Sequence, residues 1–390
     1  AAAWQRRACR AGLALPLRRP TPRVPKVHPA TGLPLSRAKG QHLLHNRGIL
    51  EKIIRAADLR SYDAVFEVGC GTGELTMELL PLARVVHTCD VEARMVQETS
   101  RRAAAAGHGN LEAQEGDALK MALPERFDVC VSNLPYQISS PFIFRLMRRL
   151  SEGPPWRCSV LMLQREYAER LLADPGEENY SRLAVSVRLF ARARRIFDVA
   201  PGSFVPAPQV HSTVLRLEPR RPLPVVDFLE WDALIRLIFT RRRKTLHAQF
   251  TKLSTLNMLE HYYKMRCSLV GSRPSLRPFP ELVDAVLQKS GMLHERAFAM
   301  DTGALKYLLQ AFHDEGIYFA NVHSSESERS ARGIAAALGG RAPPPDPKER
   351  ARRLALAGPG PFKLATHKRS SRCVPPRALE ALQTGVTSYP

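Results

Sequence analysis

The sequence predicts an α/β protein, built as a doubly wound parallel sheet followed by a smaller all-α domain. Three observations carry this. Short apolar strands alternate with helix-period segments from about residue 49 to 217, which is the pattern of a parallel sheet covered on both faces. The first strand runs directly into a glycine-rich turn. After Pro224 the strand signal stops and every remaining periodic segment is helical.

Taken in order, 49–59 has helical spacing, and 64–68 is a short apolar strand followed by a helix over 74–80. A second strand over 84–89 ends at Asp90, and 94–106 reads as a helix. The third strand, 111–114, stops near Gly116-Asp117. The fourth, 127–131, runs into Asn133-Leu134-Pro135-Tyr136. Helix 141–150, buried strand 158–163 and helix 166–172 follow, with 182–190 and 212–217 read as strands that close the sheet as an antiparallel pair. Helices are expected at 230–250, 255–264, 279–291 and 301–314. The expected divisions are a basic leader (1–37), a sheet domain (38–222), a helical domain (223–322) and a tail (323–390).

Composition narrows the function classes. Residues 1–50 hold ten Lys/Arg and no acid, 323–390 hold twelve basic and five acidic residues, and 51–322 are nearly balanced at 36 against 32. Charge concentrated in two tails fits either a polyanionic partner or a targeting leader with a solvated tail. The leader is Arg- and Pro-rich and resembles a mitochondrial transit peptide, and the absence of an initiator Met is expected of a processed chain or an incomplete gene reading. Both tails are expected to be disordered, with one short helix near 329–339. No run approaches the ~18 apolar residues of a membrane span. Seven cysteines, scattered and never spaced CxxC, argue against a disulfide scaffold or a thiolate zinc site and for a reducing compartment.

Four motifs carry chemistry. Glu67-Val68-Gly69-Cys70-Gly71-Thr72-Gly73 follows the first strand, and glycines there let the backbone approach a ligand and present helix N-terminal amides. The spacing is GxGxG rather than the GxGxxG of dinucleotide folds, and no Gly-Lys-Ser/Thr follows as a phosphate loop requires. Asp90 ends strand two, where a carboxylate can accept both hydroxyls of a ribose. Gly116-Asp117-Ala118 ends strand three, where an acid can accept from an adenine amine. Together these three describe an adenosine-containing ligand at the carboxyl edge of the sheet.

Asn133-Leu134-Pro135-Tyr136 is the most specific signal. The lone pair of an adenine amine is delocalised into the ring, which makes it a poor nucleophile. An Asn oxygen and a neighbouring carbonyl, each accepting one amine hydrogen, draw that nitrogen toward tetrahedral geometry. Proline fixes the turn, and an aromatic in fourth place can stack on a base removed from its helix.

On these stretches the chain resembles the KsgA-type rRNA adenine N6,N6-dimethyltransferase family, most closely its eukaryotic nuclear branch. Gly40-Gln41-His42-Leu43-Leu44, Asn133 to Phe142, Gln164-Arg165-Glu166 and Phe204-Val205-Pro206-Ala207-Pro208 match, as do Lys244-Thr245-Leu246 and Glu315 to Phe319. The resemblance covers about 38–320. It implies a Rossmann-like class I methyltransferase sheet and S-adenosyl-L-methionine as donor. The substrate it implies is a pair of adjacent adenosines in the 3′-terminal hairpin loop of small-subunit rRNA, each dimethylated. It places donor contacts at His42, Leu44, Gly69, Gly71, Gly73, Asp90, Asp117, Ala118 and Asn133. The catalytic set becomes Asn133, Leu134, Pro135 and Tyr136, with Phe142 expected to close the other face of the target base. Two positions depart from the family. Asp90 stands where Glu is usual, so ribose contact is expected to need a backbone shift or help from Glu92, and Cys70 stands where nuclear relatives carry Pro.

RNA is expected to meet Arg241, Arg242, Arg243 and Lys244 through phosphates, and Phe204 and Pro206 through a rigid loop beside the target pocket. No metal and no general base are expected. The amine attacks first and loses its proton afterwards, and catalysis rests on proximity and orientation. Expected partners are small-subunit rRNA and pre-ribosomal particles, with no membrane and a monomeric chain. The nucleolus is favoured over the mitochondrial matrix. Two alternatives stay open: a catalytically silent RNA-binding assembly or transcription-associated factor, and a DNA adenine methyltransferase, against which Leu134 in place of a first proline speaks.

Overall fold

A computed structural model of the chain describes residues 26–27, 34–35 and 42–320. The rest of the leader, the tail and the helix expected near 329–339 lie outside the described residues. Within the leader, β1 (Lys26–Val27) and β2 (Pro34–Leu35) form a two-residue antiparallel ladder that the sequence does not signal.

The centre is a seven-stranded sheet ordered β6-β5-β4-β7-β8-β11-β9. Its strands are β4 (Ala64–Val68), β5 (Val85–Asp90), β6 (Leu111–Glu115), β7 (Val129–Asn133), β8 (Cys158–Gln164), β9 (Ala191–Val199) and β11 (Ser212–Pro219). The five from β6 to β8 are parallel, and β11 runs antiparallel to both β8 and β9. Chain order reverses beside β4, so the switch point lies between the carboxyl ends of β4 and β7.

Strand residues alternate between two cores, as the period of two demands. Val65, Val129, Val131, Val160 and Met162 face one side with Leu50 and Ile53 of α1 (Arg47–Ala57). Phe66, Cys130, Leu161, Leu163 and Leu215 face the other. There they meet Phe142, Ile143 and Leu146 of α4 (Ser139–Glu152). Helices α2 (Glu74–Leu79), α3 (Ala93–Ala105) and α5 (Arg165–Leu172) complete the crossovers.

Residues 182–190, read as a strand, form helix α6 (Arg182–Phe190). Leu183, Val185, Val187 and Leu189 alternate like a strand, but Ala184, Ser186 and Phe190 are buried as well. A helix buried on every side shows no 3.6-residue apolar period to read. The closing strand is instead β9, whose Arg192, Arg194 and Arg195 are exposed and hide its strand character.

The helical segment runs through α7 (Phe228–Phe239), α8 (Leu246–Phe250), α9 (Leu253–Val270), α10 (Phe279–Lys289) and α11 (Thr302–Asp314). The single helix expected over 230–250 is broken between Thr240 and Thr245, where the basic cluster forms a turn. Trp231, Ile235, Phe250 and Phe312 belong to the same core as the α4 side of the sheet. At the far end, Glu230 accepts the amides of Phe319 (2.7 Å) and Ala320 (3.1 Å), and Tyr318 lies between His313 and Arg266.

Candidate active site

The glycine turn after β4 has Gly69, Gly71 and Gly73 at φ +77°, +54° and +89°, a left-handed region that L side chains rarely adopt. The loop is also crowded. A Cβ on Gly71 would lie 2.6 Å from the Leu43 side chain, and one on Gly69 would lie 3.3 Å from the Pro135 ring. Helix α3 grips the loop from behind. The Thr99 hydroxyl donates to the Gly71 carbonyl (3.1 Å), and Arg102 donates to the Thr72 carbonyl (2.5 Å) and Glu74 (2.6 Å).

Asp90, at the end of β5, faces this loop. Its Oδ2 accepts the Gly71 amide at 3.1 Å and its Oδ1 the Glu92 amide at 3.0 Å. Burial pushes its pKa up, opposed by those backbone donors. The shorter side chain reaches the loop through the Gly71 bond, and Glu92 steadies it through its amide while its own carboxylate pairs with Arg94 at 2.5 Å. Beyond β6, Asp117 accepts the Leu119 amide (2.9 Å), and buried Ala118 gives its carbonyl to Arg145. The Gly116 amide donates to the Asp90 carbonyl at 2.9 Å, so these two strand ends are tied together.

Asn133 is the last residue of β7. Its side-chain amide donates to the His42 carbonyl at 3.0 Å, which fixes the group and turns Oδ1 away from that bond. Leu134 is buried and donates its amide to the Met162 carbonyl. The Pro135 carbonyl accepts from the Ile138 amide (3.1 Å) and the Ser139 hydroxyl (3.3 Å). Tyr136 stacks on the His42 ring at 5.7 Å between centroids, and its hydroxyl lies 2.7 Å from that of Ser212.

Five predicted positions do other work. Phe142 is fully buried and packs on Phe66, so it does not line the target side. Phe204 is also core, and β10 (Phe204–Val205) pairs with β3 (Leu43–Leu44). Pro206 is buried and accepts a bond from His42 Nδ1 at 2.7 Å. This loop therefore positions His42 rather than offering Phe204 and Pro206 to RNA. Arg242 donates to the backbone carbonyls of Glu178 and Tyr180 and lies over Phe298, which ties its guanidinium to the fold. Arg241, Arg243 and Lys244 are exposed. Leu44 is core, and it is Leu43 whose side chain touches the glycine loop.

The sequence reading also misses Glu67 as a separate group. It is fully buried at the end of β4, accepts a bond from Thr76 at 2.6 Å, and burial pushes its pKa up to about 8. A carboxylate inside an apolar strand was the available signal. Ser212 and Thr99 carry no local signal, because their partners lie far away in sequence. Among the described residues, no His/Cys/Asp/Glu group is arranged to hold a metal ion, and no helix is long and apolar enough to cross a membrane.

Comparison with known proteins gives the family. The family model described as "Ribosomal RNA adenine dimethylase" matches residues 35–268. A probable dimethyladenosine transferase of Drosophila melanogaster is 42% identical over 291 residues, which cover 74% of this chain and 94% of that protein. A dimethyladenosine transferase of Schizosaccharomyces pombe is 41% identical, over 72% of this chain and 91% of its own. The crystal structure of a dimethyladenosine transferase from Plasmodium falciparum superposes with a TM-score of 0.67 at 46% identity, covering 72% of this chain and all of that one. The chain belongs to the ribosomal RNA adenine dimethylase family.

Proposed function

We propose that this protein dimethylates the N6 amines of two adjacent adenosines in the 3′-terminal hairpin loop of small-subunit rRNA, with S-adenosyl-L-methionine as donor. The observation that carries the reading is the Asn133 side chain. It stands at the carboxyl end of β7 beside the glycine loop, clamped by the His42 carbonyl and flanked by Tyr136.

The residues present fit the donor. Three left-handed glycines leave a cradle that a Cβ would fill, and Asp90 has acceptor capacity left after its two backbone bonds. Gly69, Gly71 and Gly73 would lie along its amino-acid part, Asp90 would take the ribose hydroxyls, and Asp117 with Ala118 would meet the adenine. When bound, the donor supplies an electrophilic methyl group on a sulfonium.

The chain's own residues orient the acceptor. Asn133 Oδ1 accepts one hydrogen of the target amine. The Pro135 carbonyl is already taken by Ile138 and Ser139, so the second acceptor is the Leu134 carbonyl. Tyr136 stacks on the base. The amine loses its proton to solvent after transfer, so no general base is required. Catalysis comes from holding nucleophile and electrophile together in line. Arg241, Arg243 and Lys244 contact RNA phosphates. The protein acts as a monomer on pre-ribosomal particles in the nucleolus, a placement supported by the kinship with eukaryotic enzymes.

The test is to incubate the protein with labelled donor and immature small ribosomal subunits and to seek dimethyladenosine by mass spectrometry. Label in duplex DNA with unmodified rRNA would overturn the reading. RNA binding without any label would favour a silent assembly factor.

A further inference from the structure

Tyr136 is fixed at two points. Its hydroxyl lies 2.7 Å from that of Ser212, a fully buried residue at the start of β11, 76 positions along the chain. One face of its ring lies in an offset stack against His42. The His42 ring is itself held, because Nδ1 is 2.7 Å from the Pro206 carbonyl. A carbonyl only accepts, so Nδ1 carries the proton and the imidazole orientation is set. With its tip tied and one face against His42, the half-buried phenol ring leaves its other face as the one a stacking base would take.

Ser212 is also well placed to stay still. It pairs with Gln164 at the end of β8 and with Val199 at the end of β9, so it belongs to the framework of the sheet. Tyr136, by contrast, sits in a short 3₁₀ turn that begins immediately after Pro135. A residue in such a turn has rotamers to lose when a base stacks on it, and fixing the ring beforehand removes that ordering cost. The hydroxyl that distinguishes tyrosine from phenylalanine is thus used for anchoring, and the ring for stacking.

We infer that Ser212 is a positioning residue for the target base, acting through the Tyr136 hydroxyl to hold the ring plane on which the flipped adenine stacks. This rests on the proposed adenine-methylating reading of the site. A single neutral hydrogen bond sets the scale of the effect at about three- to tenfold.

The test uses the full chain and a small-subunit hairpin RNA. In Ser212→Ala, single-turnover methylation should fall about three- to tenfold with KM for RNA and donor affinity little changed. A hairpin with 2-aminopurine at the target position should be less quenched by this variant than by the parent protein, a signature a merely structural serine would not move. Ser212→Thr, which keeps the hydroxyl, should restore both. Tyr136→Phe should match Ser212→Ala, and the double variant should be no worse than either alone.

Unchanged turnover and quenching in Ser212→Ala would overturn the assignment, as would losses that multiply in the double variant. If Ser212→Ala no longer binds donor and so has lost its fold, Tyr136→Phe breaks the same bond from its half-buried end and decides the question. A parent protein that methylates no rRNA adenine would defeat the functional reading itself, which is a separate outcome.

Discussion

At the end of β4 the working surface is backbone, joined by the Asp90 and Asp117 carboxylates beyond β5 and β6, whereas at the end of β7 it is side chains held by groups distant in the chain. The donor side consists of left-handed glycines steadied by Thr99, Arg102 and Asp90. The target side consists of Asn133 held by His42 and Tyr136 held by Ser212 and His42. On the proposed function, the difference follows from what each side must recognise. An amino-acid tail and a ribose offer polar groups that fixed amides and a carboxylate can match within one local turn. An adenine taken out of its RNA needs a flat apolar surface and two acceptors in fixed directions, which a single loop does not provide. Contacts from β3, β10 and β11 supply that rigidity.

The sharpest way to break this contrast is Asn133→Ala. It removes one of two acceptors aimed at the reacting amine, so single-turnover rate should drop on the order of 10²- to 10³-fold. RNA affinity measured by filter binding should barely move. A near-normal rate would mean that amine orientation does not depend on Asn133.

Asp90→Ala tests the donor side. It removes the ribose acceptor and releases the Gly71 amide, and donor affinity measured by calorimetry should weaken about ten- to a hundredfold. RNA affinity should stay as it was. If donor affinity is unchanged, the cradle is held by Thr99 and Arg102 alone.

Glu67 acts on stability rather than on turnover or binding. Burial raises its pKa to about 8, so the folded state keeps a proton that the unfolded chain releases near its ordinary value of 4.5. Unfolding therefore releases a proton in this window, and stability falls as pH rises from about 4.5 to about 8, at up to about 1.4 kcal/mol per unit. Glu67→Gln should flatten that fall, as read from urea midpoints at several pH values across the window. A parallel slope in parent and variant would show that Glu67 is ionised in the fold.

The basic turn supplies the mildest test. Replacing Arg241, Arg243 and Lys244 with Ala should flatten the log–log salt dependence of RNA binding by about two units, at roughly 0.7–0.9 per lost phosphate contact. Arg242→Ala should instead lower the melting temperature and leave the slope alone, because its guanidinium is bonded to the carbonyls of Glu178 and Tyr180. If Arg242→Ala behaves like the other three, its bonds to those carbonyls give way to RNA.

How far the sequence could be read follows the same division. The GxGxG turn, Asp90, Asp117 and Asn133 each sit at a strand end, where a local pattern identifies both the strand and its terminus. The parallel half of the sheet was legible for the same reason. Tyr136 is legible as an aromatic in fourth place, but its two restraints are not, since Ser212 and His42 both lie far from it in sequence. Phe142 was misread because an aromatic six residues beyond Tyr136 looks equally available, and only the course of α4 turns it into the core. Arg242 was misread with its neighbours because a run of like charges does not reveal which member has found carbonyls. Residues 182–190 were misread because complete burial erases helical periodicity, and β9 because its arginines mask the alternation.

Those arginines have a further effect. Strand β9 closes one side of the sheet with no neighbour beyond it among the described residues, and an open edge is a template for another copy of the chain. Two copies meeting antiparallel along the first half of β9 would set Arg192 and Arg194 of one against the same residues of the other, Arg195 being paired with Asp198, and like charges placed opposite are unfavourable. The protein thus carries a built-in deterrent to self-association at this edge, and the deterrent is electrostatic. Its range contracts from ~10 Å at 0.1 M salt to ~3 Å at 1 M. Concentrated salt, the usual means of stripping RNA from a basic protein, is therefore the condition in which this chain should most readily stick to itself, and a low-salt buffer should keep it dispersed.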